Sequence, residues 1–119
     1  STAIVAETEF IEHHEGQPLF GDICNFLLKH DLIFHKFCSV GGRSLKSYSK
    51  DAAFEFASQM IWSDSMFIRD ICKISKLNSD QLLKLSFIAT LYESFDLTYF
   101  CLEQHDKIFS TQFATKLPN

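Results

Sequence analysis

The sequence predicts an α/β fold in a single domain, with about three strands, flanking helices and a long helical stretch near its end. A continuous apolar run at residues 3–6 is typical of a strand that is buried on both faces. A helical pattern and a second apolar run follow in quick order, and this succession of strand, helix and strand indicates an α/β layout. The 119 residues can bury one core but are too few for two full domains.

Composition and charge exclude several classes of protein. Eleven Lys and Arg against fifteen Asp and Glu leave a net charge of -4, which argues against binding to nucleic acid or to an anionic membrane surface. No apolar run approaches the roughly 20 residues that span a bilayer, and no signal peptide is visible. We therefore expect a cytoplasmic protein with reduced core thiols at the four scattered cysteines, Cys24, Cys38, Cys72 and Cys101.

The first half of the chain divides into short elements. A first strand is predicted over residues 3–10 and a helix over 18–30, where Pro18 suits the first turn. The apolar stripe of this helix comprises Leu19, Ile23, Phe26 and Leu27. The elements that follow are a strand over 32–38, a basic loop over 39–50, a segment over 51–58 that fits a short helical turn or irregular structure, and a strand over 59–70.

A long helical stretch is predicted from Asn78 to about residue 105. Asn78 is a good N-cap, and Gln81 stands where a capping box needs it. We expect the buried stripe to contain Phe95 and the residues that share its spacing, namely Leu85, Ile88, Tyr92, Tyr99 and Leu102. Residues 106–119 are expected to fray.

Two stretches of the chain carry a family resemblance. The first runs from Glu7-Thr8-Glu9-Phe10 to Glu15-Gly16-Gln17-Pro18-Leu19-Phe20, and the second reads QMIWSDSMFIRD over residues 59–70. In order and spacing they resemble the C-terminal half of FkbM-type S-adenosylmethionine-dependent methyltransferases. The resemblance extends over residues 3–105.

The resemblance implies a partial Rossmann-like methyltransferase sheet with mixed parallel and antiparallel strands. Its three strands would be the fifth, sixth and seventh of a seven-stranded sheet, with the seventh inserted antiparallel between the other two. The cofactor-binding half has no counterpart here, because the four glycines cannot form a phosphate-cradling loop. S-adenosylmethionine is thus implied for a parent protein, and none is expected to bind this chain.

Two carboxylates are the candidate catalytic residues on the acceptor side, Glu9 and Asp64. Glu9 shares a strand face with Glu7 near the carboxyl end, where ligands collect in α/β sheets. Asp64 shares a face with Trp62, and Asp is unfavourable inside a strand. Gln17 and Trp62 are the candidate substrate-binding residues. The alternatives are a solvated strand end for Glu9 and purely structural hydrogen bonds for Asp64.

The implied function is methyl transfer to a hydroxyl group of a sugar or another small metabolite. The alternative is a non-catalytic α/β module that dimerises or binds a protein. We expect no metal, since His13-His14-Glu15 has no second ligand cluster and fits a polar loop better. We also expect a homo-oligomer, joined edge to edge through the first strand or by exchange of the long C-terminal helix, because residues 3–10 contain no Pro or Lys to block edge pairing.

Overall fold

The computed structural model describes residues 2–43 and 58–117, so most of the predicted 39–50 loop and nearly all of segment 51–58 lie outside the described residues. It confirms an α/β chain. The elements are β1 (Ala3–Glu9), α1 (Phe20–Leu28), β2 (Leu32–Arg43), β3 (Gln59–Arg69), a 3-10 helix (Ile71–Lys76), α2 (Ser79–Leu91), α3 (Phe95–Phe109) and a 3-10 turn (Ala114–Lys116). They form two compact units, Ile4–Phe67 and Ser1–Ala3 with Ile68–Asn119. The single domain stays a prediction.

The sheet has the order β1-β3-β2, so the last strand in the sequence lies in the middle. Backbone bonds from Phe10 N to Ile61 O (2.9 Å) and from Arg69 N to Thr2 O (3.1 Å) fix the antiparallel register of β1 on β3. Every hydrogen-bonded pair of described strands is antiparallel, and the expected mixture of parallel and antiparallel pairs is wrong. The reason is that β1 and β2 run in the same direction but β3 separates them. This order is the one that the family resemblance implies.

Helix α1 covers one face of the sheet. Leu27, Leu32 and Phe67 form the buried cluster, and partly buried residues pack around it, namely Ile4, Phe20, Ile23 and Cys24. The helix begins later than predicted, after Leu19, whose N–H donates to the Asp22 carboxylate at 2.9 Å. The predicted place of Phe26 in the buried stripe is wrong, because its side chain is 59% exposed. Positions 20, 23, 24 and 27 face the sheet instead, at the spacing of one helical face.

Strand β2 is longer than the sequence predicts. It continues through the glycine pair to Arg43, so the loop expected from residue 39 begins later. The Ser63 hydroxyl of β3 donates to the carbonyl of Ser39 at 2.7 Å, which ties the two strands together here. The glycines sit against β3 rather than in a turn. Glycine is a weak strand former, so the local sequence does not predict that Gly41 and Gly42 belong to a strand beside β3.

The helical unit contains two helices where the sequence predicts one. Glu93 adopts a left-handed conformation (φ 59°) between α2 and α3 and ends the first helix. Because of this break, the apolar spacing of α2 does not continue into α3. The side chain of Phe95 is 61% exposed, and its predicted burial is wrong. The buried side of α3 instead carries Leu97, Thr98, Cys101 and His105. The predicted capping box is confirmed, since Asn78 Oδ1 accepts from Gln81 N at 2.8 Å and Gln81 Oε1 from Asn78 N at 3.0 Å.

The segment after α3 is folded back on that helix, so the predicted fraying is wrong through the described residues. Asp106 accepts hydrogen bonds from the Thr111 hydroxyl (2.5 Å) and from the N–H groups of Phe113 (2.8 Å) and Ala114 (2.9 Å). Burial alone would raise the pKa of Asp106, but these bonds and nearby His105 hold it below its ordinary value.

The cysteines are free thiols, as expected, but they do not all belong to the core. Cys101 is buried, which raises its pKa to about 12, whereas Cys72 is exposed. Within the described part of the chain, no helix combines the length and the apolarity needed to cross a bilayer.

Candidate functional site

Four polar or aromatic side chains share the sheet face that points away from α1. In the register of β1 on β3, Glu9 lies opposite Trp62 and Glu7 lies opposite Asp64. Thr8 points to the other face, where its hydroxyl meets that of Ser65 at 2.8 Å. Since side chains alternate along a strand, Glu7, Glu9, Trp62 and Asp64 share one surface, here called the Trp62 face.

The Trp62 face lies near one end of the strands, where β1 and β2 finish and β3 starts. Strands β1 and β2 run in the same direction and end where β3 begins. Glu9, the Gly41–Arg43 stretch of β2 and Gln59 therefore lie at the same end of the strands. The carboxyl ends of such strands are where open α/β sheets bind ligands. The sequence prediction therefore placed Glu9, Trp62 and Asp64 on surfaces that the fold brings together.

The Trp62 ring lies against Gly41 of β2. A Cβ built on Gly41 would collide with the indole, with its Cζ2 only 2.8 Å away, and one on Gly42 would collide with the carbonyl of Gln59. The absence of a side chain at Gly41 lets the indole lie close against the neighbouring strand. A partly exposed indole held in this way is a rigid apolar platform, suited to stacking against a planar or ring-shaped ligand.

Asp64 is anchored rather than loose. Its Oδ2 accepts from the Ser39 hydroxyl on β2 at 2.9 Å. Its charge also reaches the Cys38 thiol: burial raises the pKa of Cys38, nearby Lys36 lowers it and Asp64 adds to the rise. Ser39 is thus the hydrogen-bond partner that a purely structural role of Asp64 requires. The carboxylate is nevertheless partly exposed and lies on the same face as Trp62.

Glu9 meets a histidine from the loop that follows β1. Its Oε2 lies 3.3 Å from Nε2 of His13. Gln17, a predicted substrate-binding residue, has its side-chain oxygen engaged within this loop, where it accepts from the N–H of His13 at 2.9 Å. Gln17 therefore shapes the loop that carries His13.

Sequence reasoning missed three contributors to this surface. Ser39 and Gly41 were assigned to a loop, and His13 was considered only as a metal ligand or a polar loop residue. The four-residue spacing of Glu9 and His13 was the available signal, but it gains meaning only once the loop closes. No group of three or more His, Cys, Asp or Glu side chains within residues 2–43 and 58–117 could hold a metal ion.

The glycines of the described chain do not fit S-adenosylmethionine. Gly41 and Gly42 are covered by Trp62 and Gln59, so a cofactor cannot approach their backbone. Gly21 lies inside α1 and Gly16 in the closed loop before it, with φ +78°. Neither forms the strand-to-helix turn that brings backbone N–H groups against a nucleotide.

The fold and the site define an α/β chain with a polar, aromatic surface at the carboxyl ends of two co-directional strands. No protein-family profile, curated protein or solved structure matches the chain.

Proposed function

We propose that this chain is the acceptor-side part of an FkbM-like, S-adenosylmethionine-dependent O-methyltransferase that acts on a hydroxyl of a sugar or another small metabolite. The observation that carries the proposal is the strand order. A helix joins β1 to β2, and the later β3 enters the space between them antiparallel to both. A seven-stranded methyltransferase sheet ends in this arrangement, which supports the proposal that the chain is the last part of a partial Rossmann-like sheet.

The Trp62 face supplies what an acceptor subsite needs. Methyl transfer to oxygen is accelerated by holding the hydroxyl in line with the donor and by removing its proton. In this proposal Trp62 provides a platform for a sugar ring, and the carboxylates of Glu9 and Asp64 lie on the same face as that platform. Asp64, held by Ser39, orients the acceptor, and Glu9 serves the proton transfer.

The donor-binding half belongs, in this proposal, to another part of the parent protein. Calorimetric titration of S-adenosylmethionine into this chain should therefore give no measurable heat of binding. A micromolar dissociation constant would contradict the division of labour between the two halves.

The activity test uses the parent protein, with methyl-labelled S-adenosylmethionine and the methyl glycosides of glucose, galactose, mannose and rhamnose as acceptors. Trp62→Ala and Asp64→Asn should each lower the rate of methyl transfer by about 10²-fold or more. The matched control is Glu103→Gln, which removes a carboxylate paired with Lys107 at 3.7 Å on α3. Equal rates for the control and the site variants would refute the assignment of the Trp62 face.

The second candidate is a non-catalytic module that dimerises or binds a protein. The edge position of β1 favours it, because Val5 is exposed on an apolar strand with one neighbouring strand among the described residues. The two candidates differ in methyl transfer, which only the first requires.

A further inference from the structure

The contact between Glu9 and His13 joins the sheet edge to the loop behind it. Glu9 is the last residue of β1, and its side chain is 18% exposed, whereas that of His13 is 43% exposed. The two groups meet through Glu9 Oε2 and His13 Nε2 at 3.3 Å. This is an ion-pair contact, and the carboxylate favours a proton on the nearer ring nitrogen, Nε2, because a carboxylate can only accept. The lone pair of the ring then resides on Nδ1.

The loop holds His13 in place through bonds of its own. Gln17 Oε1 accepts from the N–H of His13 at 2.9 Å, and the N–H of Gln17 donates to the carbonyl of His14 at 3.0 Å. The N–H of Gly16 donates to the Glu12 carboxylate at 2.6 Å, with Gly16 at a positive φ. These bonds close the loop over residues 12–17, so the imidazole is positioned from the backbone as well as by Glu9.

We propose that His13 is the base that accepts the proton of the acceptor hydroxyl, and that Glu9 is a positioning residue that orients the imidazole. This inference rests on the proposed function and assigns Glu9 an indirect role in it. The carboxylate fixes Nε2–H and stabilises the imidazolium that forms, as carboxylates do for catalytic histidines. His13 is partly exposed and contacts Glu9, which belongs to the Trp62 face, so the proposal places its imidazole at the border of that face.

The proton and electron balance of the step is simple. The hydroxyl proton moves to Nδ1 of His13, and the oxygen uses an electron pair to form its bond to the transferred methyl carbon. A sulfonium donor held by another part of the parent protein would supply the methyl group and would leave as a neutral thioether, with the electron pair of the broken carbon–sulfur bond. The imidazolium then returns the proton to water.

Imidazole NMR on this chain tests the contact without any activity. In long-range 1H–15N spectra, Glu9→Ala should move the ring-nitrogen signals of His13 and leave those of neighbouring His14 in place. Unchanged His13 signals would overturn the pairing, and so would equal changes at both histidines.

Methyl transfer in the parent protein, with the same four methyl glycosides, tests the role. His13→Ala should lower the rate by about 10²-fold or more, added imidazole should restore at least a tenfold increase, and His14→Ala should stay within twofold of wild type. Glu9→Gln keeps an acceptor oxygen for Nε2–H and should lose less activity than His13→Ala. Full activity of His13→Ala, or no rescue by imidazole, overturns this inference alone. Absence of transfer by the wild-type protein overturns the proposed function and this inference together.

Discussion

The indole of Trp62 occupies the space above Gly41 that a side chain at position 41 would fill. The contact joins β3 to β2 at the end of the strands where the candidate site lies. It makes the glycine a structural requirement of the Trp62 face.

We expect Gly41→Ala to destabilise the chain by about 1–3 kcal/mol, because the added methyl group must displace the indole or the strand. The matched control is Gly21→Ala in α1, where an added Cβ meets nothing within 4 Å. Alanine is the better helix former, so the control should be neutral or more stable by up to about 1 kcal/mol. Urea unfolding measures both, and emission from Trp62, the chain's one tryptophan, reports the displacement. A wild-type midpoint for Gly41→Ala would contradict the packing.

A second prediction concerns the face of α3. Phe95→Ala should cost less than about 1 kcal/mol, since a surface side chain contributes little to stability. Leu97→Ala should cost about 2–5 kcal/mol, because Leu97 is 6% exposed and its loss leaves a cavity. Chemical denaturation of the two variants decides between the faces. A larger loss of stability for Phe95→Ala than for Leu97→Ala would contradict this assignment and favour the buried face of a single continuous helix.

The Asp106 cluster predicts how stability depends on pH. A carboxylate whose folded pKa is depressed stabilises the protein above its unfolded pKa, and this stability is lost as the pH falls through the folded pKa. Wild-type protein should therefore lose stability below about pH 4, the ordinary range of Asp.

The Asp106→Asn variant should lose less stability over the same pH range, since its side chain does not titrate. Thermal unfolding between pH 7 and pH 2 measures the difference. The same steepness in both proteins would show that the bonds from Thr111, Phe113 and Ala114 do not distinguish the ionised form.

The edge of β1 predicts self-association, which stays a proposal. The register directs the N–H of Val5 away from β3, so proline at this position blocks strand pairing on the outer side of β1 without removing a bond to the central strand. We expect a dimer or larger oligomer for the wild-type chain at tens of micromolar and a monomer for Val5→Pro, measured by light scattering after size-exclusion chromatography. Val5→Lys, which places a charge on the edge, should also be monomeric. A monomeric wild-type chain would refute edge-to-edge pairing through residues 3–10.

The sequence alone determined where most elements lie. Apolar runs marked the three strands, and the bounds of β3 were predicted within one residue. The pair Asn78 and Gln81 marked the start of α2, because a capping box is a local interaction of residues three apart. Strand alternation also predicted that Glu7 and Glu9 share a face, and likewise Trp62 and Asp64.

Only the tertiary structure decided which of these pieces meet. The register of β1 on β3 brings Glu9 opposite Trp62, although the two lie 53 positions apart along the chain. The burial of α3 depends on a single left-handed residue, Glu93, which shifts the apolar stripe away from Phe95. The glycine pair became part of β2 because Trp62 and Gln59 lie against it, a contact across strands that no local pattern encodes. Secondary-structure propensity depends on residues that are neighbours in the sequence. A site, in contrast, forms through hydrogen bonds and packing between residues that are distant in the sequence.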